Sequence, residues 1–223
     1  MKKIIILFAF IGFLLMSCEL DNFEEPNVTI TGKVVYDGRP IGVRSNGVQL
    51  ELWQEGHQLY TKVPIFIAHD GTFSAVVFGG DYKMVRLSGA PWENQSTDTI
   101  LVNARNNISI DVPVIPYYII DNESIRASSG TITASFTVTQ VSTTAGLAEV
   151  RLYLGKSILT DQNRNEYAIN LDTSTLSLGQ QATMTATIPA NLVQYPYIYA
   201  RIGVRSTATN EFIYTQVQQV NLN

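Results

Sequence analysis

Cysteine and histidine are nearly missing from this chain of 223 residues, which has one cysteine, Cys18, and two histidines, His57 and His69. A lone cysteine closes no intramolecular disulfide, so stability has to come from packed apolar cores. Neither histidine has a second histidine four residues on or a cysteine nearby, which argues against metal ligation and against a histidine-based triad. The chain also lacks a nucleophile elbow, a phosphate loop and a dinucleotide fingerprint. There is no block of basic residues, and with a net charge of −4 nucleic-acid binding has no electrostatic basis. Helical periodicity is absent too: past the first residues, no window of about 11 residues places apolar side chains at i, i+3, i+4 and i+7. The expectation is therefore a protein without cofactor, metal or catalytic machinery. One route to chemistry stays open in the residues themselves, a pair of Asp or Glu side chains brought together by folding to cleave a glycoside.

What is present begins with an address. Lys2 and Lys3 precede an apolar run from Ile4 to Met16, the charged and hydrophobic regions of a secretory signal. In a helix this run reaches roughly 20 Å, short of the ~30 Å hydrocarbon core, so it directs the chain without spanning a membrane. It ends in Leu14-Leu15-Met16-Ser17-Cys18, which resembles the bacterial lipobox. That resemblance implies cleavage of residues 1–17 and lipidation of Cys18, and several acyl chains would hold the protein stably at a membrane. Residues 18–26 are acidic (Glu19, Asp21, Glu24, Glu25) and poor in structure-forming signals, as a tether would be. An acidic stretch here resembles the surface-export signal of Bacteroidetes lipoproteins, which implies a position on the outside of the outer membrane. Without Lys2 and Lys3, 13 basic residues face 19 acidic ones.

The remainder alternates with period two, apolar inward and polar outward. Val48, Leu50 and Leu52 alternate with Gln49, Glu51 and Trp53; Ile132, Ala134, Phe136 and Val138 with five threonines and serines; Val150, Leu152 and Leu154 with Glu149, Arg151 and Tyr153. Turn signals such as Asp37-Gly38, Asp70-Gly71 and Thr209-Asn210 punctuate these runs. Short strands at such spacing predict an all-β protein of antiparallel sandwiches. Pro113 and Pro116 interrupt the pattern, because prolines this close disfavour a central strand. They divide the chain into domains at 27–115 and 116–223.

The first domain carries ITGKVVYDGRPI (30–41), GVQLELW (47–53) and DGTFSAVVFGGDYKMV (70–85), which resemble the carboxypeptidase-regulatory, prealbumin-like sandwich. The C-terminal domain resembles a fibronectin type III or immunoglobulin-like sandwich, with Ala200, Ile202 and Val204 as the inward row of a late strand. From end to end, the chain resembles a family of uncharacterised two-domain lipoproteins of gut Bacteroidetes, whose genes tend to lie in loci for polysaccharide uptake. The resemblance implies a setting and transfers no catalytic residue.

Candidate binding residues are aromatic. In YPYIYARIGVR (195–205), Tyr195, Tyr197, Tyr199, Arg201 and Arg205 share one face, opposite Ile198, Ala200, Ile202 and Val204. In a fibronectin-like sheet, the strand bearing Arg151 and Tyr153 would lie beside it. An open face of tyrosine and arginine could stack on sugar or cover a partner protein; alternatively Tyr195 or Tyr197 is a buried corner tyrosine. Trp53, on a polar face, and Trp92, in the loop SGAPWENQ, are further stacking candidates, and Trp92 could instead pack over the end of its sandwich. Tyr117 and Tyr118 sit where the two domains would meet. The leading expectation is a membrane-anchored surface protein that binds polysaccharide or a protein of an uptake complex. An adhesin-like scaffold is the alternative, and a glycosidase the third.

Overall fold

The computed structural model describes residues 24–54 and 62–222. The signal segment 1–17, the lipidation candidate Cys18 and His57 lie outside the described residues. The described chain is all-β, with sixteen strands, one helical turn at Ala190–Val193 and a 3-10 turn at Thr173–Thr175.

The first sandwich is built from β1 (Val28–Tyr36), β2 (Arg39–Pro40), β3 (Gln49–Gln54), β4 (Lys62–Phe66), β5 (Thr72–Val77), β6 (Gly80–Arg86), β7 (Ile100–Ala104) and β8 (Ile108–Pro113). In one sheet β1 pairs with β2, β5 and β8; the other runs β4-β3-β6-β7. The alternating residues Leu50 and Leu52 point inward against Ile30, Val34, Phe73 and Met84, all buried. One ladder departs from the antiparallel expectation: β8 leaves the sheet of β7 and joins β1 in parallel.

The second sandwich comprises β9 (Tyr118–Ser128), β10 (Thr131–Gln140), β11 (Leu147–Gly155), β12 (Tyr167–Asn170), β13 (Gln181–Thr187), β14 (Tyr197–Ser206), β15 (Phe212–Tyr214) and β16 (Gln218–Asn221). Three strands, β13-β10-β9, face a sheet of β12-β11-β14, with β15 and β16 successively paired to the far side of β14. Three strands thus face five in a fibronectin-like sandwich, and β11 lies beside β14 as the resemblance implies. Ile132, Ala134, Phe136 and Val138 are fully buried against Val150, Leu152, Leu154 and the inward row of β14.

The two sandwiches meet over one contiguous apolar core that includes Ile41, Trp92, Val114, Tyr118 and Ile213. The junction is held by main chain as much as by side chains. Trp92 pairs with Pro116, the Glu93 amide donates to the Ile115 carbonyl at 2.8 Å, and the Tyr117 amide donates to the Pro91 carbonyl at 3.3 Å. The buried Arg86 donates to the carbonyls of Pro113 (2.8 Å) and Asp98 (2.9 Å) and to the Asp98 carboxylate. These contacts fix the end of β8 and so the direction in which the chain enters the second sandwich.

Gly32 sits where β1 is squeezed between β5 and β8: a Cβ there would lie 1.9 Å from the Ile110 carbonyl oxygen and 2.7 Å from Phe73 Cζ. Replacing it forces the parallel ladder apart. Gly32→Ala is expected to destabilise the protein by about 2–3 kcal/mol and to lower Tm by roughly 4–12 °C in scanning calorimetry; an unchanged Tm would contradict this packing.

Candidate functional site

The outer face of the β12-β11-β14-β15 sheet is where the predicted tyrosine and arginine platform would lie. The register does bring its members together, since Tyr153 stands opposite Arg201 and Gly203 opposite Tyr214. The face is nevertheless closed. Tyr153 and Arg201 are 0 % exposed, and Phe212 and Tyr214 are also buried. Tyr153, Phe212 and Tyr214 form a small aromatic cluster with ring centroids 5.8–5.9 Å apart. Two segments cover it. The β11–β12 loop contributes buried Thr160 and Asp161, and its Gln162 amide donates to the Tyr214 hydroxyl at 3.1 Å. The first sandwich contributes Gly42, which bridges to Tyr214 through an amide donated at 2.9 Å to the Gly42 carbonyl. Tyr153 and Arg201 are thus not binding residues but the floor of the domain interface.

Arg201 is the centre of that interface. Its guanidinium donates to three carbonyls, Val43 (3.2 Å) and His69 (3.3 Å) of the first sandwich and Thr215 (3.1 Å) of the second, and lies 4.0 Å from the centroid of the Tyr214 ring. Among the described residues no carboxylate touches it, so backbone dipoles and the ring face replace the water it has lost. Burial draws its pKa down to about 10, with the nearby Tyr214 and Asp161 opposing the fall, so it remains a cation at neutral pH. Gly42 is needed here, because a Cβ would meet the Tyr214 carbonyl oxygen at 2.5 Å and Arg201 Nη2 at 3.0 Å. Beside it, Arg44 grips Glu211 of the second sandwich with Nε and Nη2, at 3.1 and 2.5 Å, in a largely buried pair.

The other candidates separate. Trp92 is only 2 % exposed and packs at the domain junction, not in a solvent-facing loop, because the paired main chains of Trp92 and Pro116 draw it into the shared core. Tyr117 is half-buried beside it, and Tyr118 is buried with its hydroxyl donating to the Ala145 carbonyl at 3.3 Å. Trp53 is half-buried on the outer face of β3, in register with Lys62 and Lys83. That same face exposes Phe66 and Leu101, the latter 75 % accessible. Tyr197 and Tyr199 do reach solvent. They lie edge to face at 5.7 Å, Tyr197 is 40 % exposed, and their partners across the ladder are Asn221 and Gln219. Tyr195, exposed and capped by Lys156 at 5.1 Å, extends the group, so neither Tyr195 nor Tyr197 is a corner tyrosine.

A further feature was not anticipated. A cleft of about 560 Å³ opens between the β1–β2 hairpin and β9, bounded by the segment after β15. Tyr36, Lys33 and Arg39 line one wall, Asp121 and Glu123 the other, and Asp70 and Gln216 one end. Arg39 reaches across the domains to Asp121 at 2.5 Å, an exposed ion pair that holds the guanidinium pKa up. Burial pushes the Asp70 carboxyl up, but hydrogen bonds from the Thr72 amide (3.0 Å) and hydroxyl (2.7 Å) outweigh it and hold the pKa below its usual value. Asn122, between the two wall carboxylates, adopts φ 54° at a break in register where β9 bulges from β10. Bulges and left-handed non-glycine residues gather at functional sites because they re-aim side chains. The sequence signal was the polar triplet Asp121-Asn122-Glu123 interrupting an apolar strand.

Comparison with known proteins places the chain in a family. A model of the N-terminal domain of a protein of unknown function (DUF3823) matches residues 28–115, and a domain of unknown function (DUF3823_C) matches 118–219. Among solved structures, the chain is similar to a DUF3823 family protein from Bacteroides ovatus at 42% identity and TM-score 0.85, covering 88% of this chain and 100% of that one. A DUF3823 family protein from Parabacteroides merdae is 30% identical with TM-score 0.80, over 90% of this chain and 100% of its own. At 19% identity and TM-score 0.73, over 89% of this chain and 100% of the other, a Bacteroides uniformis protein described as a candidate carbohydrate-binding protein shares the fold. No curated protein matches the chain.

Two outcomes follow from the buried cluster. Arg201→Ala leaves the Val43 and Thr215 carbonyls without their donor and is expected to cost about 3 kcal/mol, a fall in Tm of roughly 6–12 °C; calorimetry showing no fall would contradict the interface. Burial pushes Tyr153 up to about 12 and Tyr214 higher still. A raised folded-state pKa means that each contribution to stability is complete below the unfolded value of about 10; that of Tyr153 is lost as pH rises from there through about 12, and that of Tyr214 goes on falling to higher pH still. In a near-ultraviolet absorbance titration of the folded protein, Tyr153→Phe should leave the phase near pH ~10 unchanged; a loss of one tyrosine's amplitude from that phase would place Tyr153 in water.

Proposed function

We propose, from the premise that this chain belongs to the DUF3823 family of proteins of unknown function, that it is a non-enzymatic lipoprotein. In this reading Cys18 carries the anchor, the tether holds the sandwiches on the outer surface of the outer membrane, and the protein captures polysaccharide or a protein of an uptake complex. The observation that carries the reading is the exposed pair Tyr197 and Tyr199, with Gln219 and Asn221 paired beside them in the sheet. Tyrosine rings offer rigid apolar faces with few rotamers to freeze, and amides beside them donate and accept, a combination suited to the faces and hydroxyls of sugars. Edge-to-face contact between the rings pre-orders the pair before any ligand arrives. The carbohydrate role suggested for the Bacteroides uniformis relative agrees with this reading.

Affinity electrophoresis of the intact protein through gels containing starch, xylan, mannan, inulin or β-glucan tests it. At least one polysaccharide should retard the protein, and Tyr197→Ala with Tyr199→Ala should weaken that retardation about tenfold, equivalent to about 1.4 kcal/mol. Mobility unaffected by every polymer, together with normal growth of a deletion strain on each, would remove the reading.

A further inference from the structure

We propose that the cleft between the two sandwiches is an additional saccharide site, one that takes a short neutral oligosaccharide; this rests on the glycan-capture reading and adds a place and a ligand class to it. Its volume of about 560 Å³ falls within the ~300–1,000 Å³ of small-ligand pockets, which favour domain interfaces. Its chemistry selects among ligands. Lys33 and Arg39 supply donors, Asp70, Asp121 and Glu123 supply acceptors, and Tyr36, half-buried against the core, supplies an aromatic surface. Three carboxylates against two cations disfavour an anionic ligand, and the density of charged groups disfavours an apolar one. A hydroxyl both donates and accepts, so a polyol meets either kind of partner.

The walls are preorganised. The bulge at Asn122 sets the two wall residues Asp121 and Glu123 on a strained, fixed segment of β9. Gln216 donates to the Asp70 carbonyl at 3.3 Å and Arg201 ties the preceding Thr215 to the first sandwich, so this end of the cleft is held in place, while the Arg39–Asp121 pair spans its two walls. Two of the three carboxylates are already held by neighbours, which suits the cleft to binding. Asp121 is engaged by Arg39, and Asp70 is locked by Thr72 with its proton affinity lowered, whereas glycoside cleavage needs a carboxylic acid that keeps its proton.

Titration calorimetry of the intact protein with maltotriose, cellotriose, xylotriose and mannotriose, with trigalacturonate as the anionic contrast, decides the matter. One neutral trisaccharide should bind and be recovered uncleaved. Tyr36→Ala should weaken its Kd at least tenfold, and Glu123→Gln should do the same with Tm unchanged, which separates lost contact from lost fold. Tyr197→Ala should leave that Kd within about twofold. Affinity lost in Tyr197→Ala but kept in Tyr36→Ala and Glu123→Gln would overturn the cleft site while leaving glycan capture intact. Preference for trigalacturonate, or cleavage of the bound trisaccharide, would also overturn it. If neither trisaccharides nor polysaccharides bind, both the cleft site and the wider reading fall.

Discussion

One buried cation, Arg201, organises the domain interface. Among the described residues no carboxylate lies against it, and it gives its hydrogen bonds to carbonyls of both sandwiches. Removing a guanidinium from water costs several kcal/mol, and here the cost is offset only if both sandwiches stay in place around it. The geometry is therefore cooperative: separating the domains would break the bonds from Arg201 to the Val43 and His69 carbonyls and open the Tyr153, Phe212 and Tyr214 cluster to water. Arginine suits the position because its planar fork serves several acceptors at fixed angles, which a lysine ammonium does not.

The clamp determines what surface is left for function. It consumes the centre of the β11-β14-β15 face, so Tyr153, Phe212 and Tyr214 become interface, while Tyr197 at the start of β14 stays exposed. Elsewhere along the junction the β1–β2 hairpin and β9 bound the cleft where Arg39 meets Asp121. The clamp thus removes the broad platform, and what is left for function is a charged groove and a small aromatic patch.

Much of the fold was legible in the alternation of residues. The strands at 48–52, 132–138, 150–154 and 198–204 lie with the expected side inward, since burial of one sheet face is a local requirement that each strand states by itself. Which outward face stays wet is not a local property. Tyr153 and Arg201 read as solvent-facing because they oppose Leu152 and Ile202, and only the docking of the other sandwich shows that they are covered. Trp92 misled for a related reason: its loop runs between sandwiches, where Pro116 draws it into pairing. The cleft residues Tyr36, Asp121 and Glu123 come from strands some 80 residues apart in sequence, as the bond between Arg39 and Asp121 across 82 positions shows.

The claim beneath all of this is that two β sandwiches behave as one cooperative body. Native-state hydrogen exchange tests it most directly, at the amides that cross or adjoin the interface: Tyr214, which donates to the Gly42 carbonyl, and Val43, which donates to the His69 carbonyl beside Arg201. If the account holds, both amides exchange only through global unfolding, with the same free energy as the Ile202 amide in the core of the second sandwich. Exchange of Tyr214 and Val43 through a sub-global opening several kcal/mol below that of Ile202 would contradict it.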